Sequence, residues 1–175
     1  MNDPRITPPF LDAPWPEAPR LGPDEPLPPY RFVPKCSPHP VTHPEGHRYG
    51  QGEPVTPPPG TPWQDNRVYG RGFDLYHAGY YWEAHEYWEA IWKAPGIPRD
   101  EKSLVQALIL NAAAQLKTVS GKSRGAALLT AKALQRLAKV NETRLLGVDI
   151  DSFRDALQAQ HPLEPPAPPP KFRLE

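Results

Sequence analysis

Residues 72–93 read GFDLYHAGYYWEAHEYWEAIWK, a proline-free run holding three of the five tryptophans (Trp82, Trp88, Trp92) and four of the seven tyrosines (Tyr76, Tyr80, Tyr81, Tyr87). A 3.6-residue period places Glu83, Tyr87 and Ala90 along one line of a helix, Trp82, Glu86 and Glu89 along a second, and Tyr81, Ala84, Trp88 and Trp92 along a third. His85 and Glu89, four apart, are neighbours on that surface. Aromatic bulk combined with carboxylates and an imidazole makes this stretch the most chemically suggestive in the chain, although it specifies no reaction.

Working outward, Asp65 or Asn66 is expected to cap a first helix through about Ala78, with Gly79 closing it in the left-handed conformation that glycine enters cheaply. A second helix runs from Tyr80 to about Lys93 and stops before Pro95-Gly96-Ile97-Pro98. Asp100 should cap a third, whose stripe of Leu104, Leu108, Ala112, Gln115 or Leu116 and Val119, widened by Val105, Ile109 and Leu110, implies burial against several neighbours. After a Ser120-Gly121 turn, Ser123 should cap a fourth helix with Ala126, Leu129, Ala133 and Leu137 inward. A link over 141–150 leads to a short last helix from Asp151 to about Ala159. Ala78-Gly79-Tyr80 with Glu83-Ala84 is echoed by Ser120-Gly121-Lys122 with Gly125-Ala126, about 42 residues later, so the two helical hairpins should have equivalent turns. The expected fold is an all-α, compact bundle of about five helices built from two tetratricopeptide-like hairpins, spanning 64–160.

Upstream, 19 of the 27 prolines precede Trp63, a density that forbids helix and breaks any central strand. Residues 1–63 are therefore expected to be a largely non-regular arm. Phe10, Leu11, Trp15, Tyr30, Phe32, Val33 and Tyr49 give it apolar anchors, so it should lie over the bundle in polyproline-like form, at least from Leu27 onward. Residues 161–175, ending PLEPPAPPPKFRLE, are again proline-rich; the PPAPPPKFR segment has the form that SH3-like domains read, but a solvated tail is the expectation.

With 20 basic and 20 acidic residues the chain lacks the positive field that nucleic acid or an anionic membrane selects. A lone Cys36 supports neither a disulfide nor a zinc cluster. The start has no apolar segment of signal-peptide length, and no run approaches the roughly 18 apolar residues needed to span a bilayer. The reading is a cytoplasmic protein with neither nucleic-acid nor membrane partners.

Gly79-Tyr80, Glu83-Ala84-His85-Glu86, Glu89 and Trp92, followed by Gln106, Leu108-Ile109, Ala112-Ala113-Ala114, Gly121, Gly125-Ala126 and Leu129, resemble the DUF309 family of small helical proteins without assigned function. The resemblance covers about two-fifths of the chain and implies an all-α bundle. The pattern Tyr30-x-x-x-Pro34, Pro38-His39-Pro40 and Gly46-His47-x-Tyr49-Gly50 is similar to an extension found on some such domains. Many members carry a glutamine and a histidine in the third helix where this chain has Leu110 and Lys117, so a polar site using those positions is altered here.

Residues 85–89, HEYWE, resemble the zinc motif HExxH with its second histidine replaced by Glu89. His85 and Glu89 at i and i+4 can ligate a divalent metal ion, with further donors from His39 or His47 on the arm, or from His43 or His77. The plainer reading makes His85 a partly buried histidine satisfied by Glu89 or a carbonyl. Glu83 is expected to bond the backbone at the Gly79 turn as a cap. Trp82, Trp88 and Trp92 could form an aromatic pocket for a planar or cationic ligand, but Trp88 and Trp92 read more simply as core, and Trp82, pointing elsewhere, could receive the proline-rich arm. Di-iron chemistry is set aside, because no glutamate has a histidine three residues later and Asp74-x-x-His77 is the nearest approach. Ser120 to Gly125 brings two cations to a helix start, a potential anion site that a plain turn also explains.

Two functions follow. The first is a non-enzymatic binding or scaffold module that uses the groove between the two hairpins for a protein or small-molecule partner, a homo-oligomer being one candidate assembly. The alternative is a metal-dependent or acid–base enzyme centred on His85 with Glu86 or Glu89, the candidate cluster being His85, Glu86, Glu89, Glu83 and Trp92.

Overall fold

The computed structural model describes residues 15–160 and 168–175; Phe10 and Leu11 of the expected anchors lie outside them. After a single 3-10 turn, Trp63–Asp65, the Asn66 side chain accepts the Tyr69 N–H at 3.0 Å and starts helix α1, Arg67–His77. Helix α2 covers Tyr81–Lys93, α3 Arg99–Val119 and α4 Ser123–Leu137. A two-stranded antiparallel hairpin follows, β1 (Arg144–Leu145) and β2 (Val148–Asp149), paired Arg144 with Asp149 and Leu145 with Val148. Helix α5, Ile150–Ala159, completes five helices packed together, α1 on α2, α2 on α3, α3 on α4 and α4 on α5. The core is Phe73, Leu75, Tyr76, Trp88, Leu104, Leu108, Leu137, Ile150, Leu157 and Phe172.

The 42-residue echo is a real structural repeat at the turns. Gly79 and Gly121 both have positive φ, 83° and 69°. The Tyr80 N–H bonds the Leu75 carbonyl at 2.8 Å, and the Lys122 N–H bonds the Lys117 carbonyl at 2.8 Å. Each is the six-residue closure of a glycine-terminated helix, so identical local chemistry gives identical hairpin turns.

Several local expectations need correction. Asp100 lies inside the first turn of α3, after Pro98, which has no side-chain cap to offer. Ser123 is the first helical residue of α4 rather than its cap. The 141–150 link contains the hairpin, and α5 starts at Ile150 rather than Asp151, with Asp149 capping it by accepting the Ser152 N–H at 2.8 Å. At the hairpin turn Leu146 has φ 47° and Gly147 φ 78°. Leucine tolerates that backbone poorly, and the Tyr69 hydroxyl holds it by donating to the Leu146 carbonyl at 3.1 Å.

Residues 168–175 of the tail are not a solvated appendage. Phe172 is buried against Phe73, Tyr76 and Phe153 with centroid separations of 5.2, 5.5 and 4.8 Å, its N–H donates to His77 Nε2 at 3.2 Å, and the Glu175 N–H reaches the Gly147 carbonyl at 3.1 Å. The arm also docks earlier than Leu27. Trp15 already packs edge-on to the His77 ring at 4.9 Å, whereas Leu27 and Tyr49 are exposed.

Candidate functional site

Helix α1 is buried without interruption from Tyr69 to His77, charged residues included. An amphipathic helix with one neighbour would expose its polar face; here the arm covers it. Gly70 in the helix and Gly22 in the arm allow this, because a β-carbon at either would overlap the other segment's backbone. Across that contact the Asp74 carboxylate accepts the Leu21 N–H at 2.8 Å and the Gly22 N–H at 3.0 Å, with Arg20 Nε at 3.2 Å. Arg71 donates to the carbonyls of Glu25 at 2.9 Å and Pro26 at 2.5 Å. Tyr80 then donates its hydroxyl proton to the Pro28 carbonyl at 2.9 Å.

The line continues on α2. Glu83 is buried, and its Oε1 accepts the Phe32 N–H at 3.1 Å and faces His47 Nε2 at 3.0 Å. This replaces the expected capping role at Gly79, whose turn is already satisfied by its own backbone. An ionised carboxylate can only accept, so this contact is made by a hydrogen on His47 Nε2. Trp82 receives the arm as expected, with Phe32 at 5.3 Å and His39 at 5.2 Å, both edge-on. The arm residues of the Tyr30 to Gly50 pattern tie themselves together. The Tyr30 hydroxyl donates to the Pro38 carbonyl at 3.0 Å and accepts the His47 N–H at 3.3 Å. Gly46 makes the turn that returns His47, fitting where a side chain would strike His39 and Pro40.

His85, Glu86 and Glu89 lie together farther along α2, half-buried, each offering a donor atom within 4.8 Å of the others. His85 Nδ1 is 3.3 Å from Glu86 Oε1, but no aligned hydrogen bond reaches that buried nitrogen. Burial alone would raise the Glu86 carboxyl, but His85, with Arg48 and Lys93 beyond it, outweighs burial and holds it below its ordinary value. Glu89 is 3.2 Å from Lys93, which also meets Glu53 of the arm at 3.1 Å. Trp88 is fully buried, its indole N–H donating to the Tyr69 carbonyl at 3.3 Å. Trp92 is only half-buried beneath the Lys102 ammonium, 5.1 Å from its centroid.

The expected arm ligands do not join this cluster. His47 is held by Glu83. His39 packs on Trp82, and its Nδ1 accepts the N–H groups of Val41 and Thr42, both at 3.3 Å. His43 is exposed and accepts the Glu45 N–H at 3.1 Å. His77 belongs to the tail contact, where burial lowers its pKa to about 4. A cleft of about 280 Å³ lined by Arg144, Phe153, Lys171, Phe172 and Arg173 opens elsewhere, and no residue of α2 lines it. The Ser120 to Gly125 segment is a plain turn, with Ser120 Oγ donating to the Leu116 carbonyl at 2.6 Å.

Sequence reading missed Asp74 and Arg71 as the residues that hold the arm on α1. Their signal was an oppositely charged pair within an aromatic-rich first helix, Arg71 lying between two glycines, Gly70 and Gly72. No helix among the described residues is long and apolar enough to cross a membrane. No curated protein and no solved structure matches the chain. One family model does match, the domain of unknown function DUF309, and the chain carries that domain over residues 69–129.

Proposed function

We propose that this chain is a non-enzymatic binding module in which the face of α1 and α2 receives an extended, proline-rich strand, here supplied by its own arm. One observation carries the reading. Asp74, Arg71, Tyr80 and Glu83 all grip main-chain groups of residues 21–32. The receptor side chains match what such a strand offers. Acceptors, Asp74 and Glu83, meet the N–H groups of Leu21, Gly22 and Phe32; donors, Arg71 and Tyr80, meet carbonyls of the stretch 25–28, where Pro26 and Pro28 have no N–H to give. Such contacts read an extended path more than a sequence, as grooves for polyproline helices do.

The DUF309 segment begins at residue 69, so it contains all four gripping side chains and none of the strand they grip. A buried charge left without a partner is costly, which supports treating this face as one built to be occupied. In this reading the two hairpins, α1–α2 and α3–α4, form a tetratricopeptide-like pair, and arm exchange between copies is the route to a homo-oligomer.

The test weakens the arm from its own side. Phe32→Ala with His47→Ala leaves the receptor residues intact and lowers the competition from the cis strand, whose effective concentration is on the order of millimolar. A labelled peptide of residues 18–49 should bind this variant measurably by anisotropy, far more weakly wild type, and not at all once Asp74→Asn is added. No binding to a variant that remains folded by circular dichroism overturns the reading.

A further inference from the structure

We propose that the outer face of helix α4 is a docking surface for the phosphate backbone of double-stranded DNA, on an element that takes no part in the arm-receiving face. Between Glu101 and Glu142 the chain holds seven cations and no acidic residue, which leaves 13 basic against all 20 acidic residues elsewhere. Whole-chain neutrality conceals this segregation and so does not exclude a polyanionic partner. Six of the seven, Lys117, Lys122, Arg124, Lys132, Arg136 and Lys139, lie in or beside α4.

The helix buries Ala126, Thr130, Ala133 and Leu137 and packs on α3 and α5. Its opposite line carries Arg124, Leu128, Lys132, Gln135 and, just past the last turn, Lys139, all exposed. The stem of Lys117 lies against Gly125, 3.6 Å from where a β-carbon would stand, and adds a cation at the start of the helix. Among the described residues none of the six meets a carboxylate at ion-pair distance, whereas Arg20, Arg71, Lys93, Arg144 and Arg154 each do.

Spacing and chemistry choose the partner. Eight residues of helix advance about 12 Å, so Arg124 and Lys132 stand about as far apart as the strands bordering the B-form major groove, which is about 12 Å wide and admits an α-helix. Leu128, midway between them and 59% exposed, then lies over the groove, where thymine methyl groups offer apolar contact. Lys122 supplies no side-chain cap, so the first N–H groups of α4 join the cations as phosphate donors. An anionic bilayer would need an apolar face to insert, and that face of α4 is buried in the bundle. A second copy would bring like charges together in a two-fold pairing.

The experiment is fluorescence anisotropy of a labelled two-turn DNA duplex of mixed sequence, titrated with the full chain at about 50 and about 200 mM salt. Wild type should bind with a micromolar dissociation constant at the lower salt and at least tenfold more weakly at the higher. Arg124→Ala with Lys132→Ala should weaken binding at least tenfold at the lower salt and flatten the salt dependence by about two phosphate contacts. Arg67→Ala with Arg99→Ala removes the same charge from exposed positions on α1 and α3 and should change binding less than twofold. Circular dichroism checks that both double variants stay folded. Vesicles of phosphatidylserine and phosphatidylcholine, sedimented with the chain at the lower salt, should carry none of it down. No duplex binding by wild type at the lower salt, equal weakening by the two pairs, or capture by the vesicles overturns the proposal.

Discussion

Glu83 and His47, 36 positions apart, meet at 3.0 Å with side chains only 2% and 5% exposed, and this contact joins helix α2 to the arm. The same carboxylate oxygen holds the Phe32 N–H. Removing it leaves an imidazole and an amide without their acceptor inside the seam. Glu83→Ala should lower stability by about 3 kcal/mol. Urea unfolding measures this, and His47→Ala in the Glu83→Ala background should cost little more, because the two side chains act as one unit.

Gly70→Ala separates helix propensity from arm docking. Alanine favours an isolated helix by about 1 kcal/mol over glycine, but here its β-carbon overlaps the Leu21 carbonyl. The expected result is a less stable protein in which the Leu21 and Gly22 amides exchange faster while α1 remains helical. A gain in melting temperature would show that the arm does not cross the helix at Gly70.

His77 makes stability fall in mild acid. Burial lowers its pKa from 6.5 to about 4 in the folded chain, whereas the unfolded chain takes up its proton near the ordinary value. Between those two values the unfolded state binds more protons, so stability is full above about pH 6.5 and falls as pH drops toward 4, by on the order of 3 kcal/mol. Protonation also removes the acceptor of the Phe172 N–H. Urea midpoints measured from pH 7 to pH 4.5 should decline more steeply in wild type than in His77→Gln, which keeps an acceptor and does not titrate.

The last residues of the chain are predicted to matter as core. Phe172→Ala should cost about 3 to 5 kcal/mol, the usual range for a buried phenylalanine, and should loosen the tail from His77. A solvated tail would show no change in the thermal melt.

What the sequence revealed and what it hid divide along contact range. The paired turns at Gly79 and Gly121 were legible because glycine, the preceding helix and the closing N–H lie within six residues. Trp82 as a landing point for the arm was legible because it lies off the helix line of Trp88 and Trp92, although the rings it meets are Phe32 and His39 rather than prolines. Glu83 was singled out for the wrong partner. A carboxylate near a helix start has a local capping use, and nothing local shows that Phe32 and His47 arrive from 51 and 36 positions away. Asp74 was hidden in the same way, since its partners Leu21 and Gly22 are 53 and 52 positions distant. Phe172 was masked by its setting, a single aromatic among prolines whose burial depends on the gap left by Phe73, Tyr76 and Phe153. The β-hairpin escaped because Leu146 is not a turn former, and the contacts that hold it come from far along the chain, the Tyr69 hydroxyl on its own carbonyl and the Glu175 N–H on that of Gly147.

The most direct measurement is residue-resolved amide hydrogen exchange of the full chain at Leu21, Gly22 and Phe32, in wild type, Asp74→Asn and Glu83→Gln. Main-chain capture by α1 and α2 predicts protection of all three amides in wild type. Asp74→Asn should lose it first at Leu21 and Gly22, and Glu83→Gln first at Phe32. Exchange of all three at unfolded-chain rates in wild type would contradict the account, because the arm would then not be held by the helices that carry its receptors.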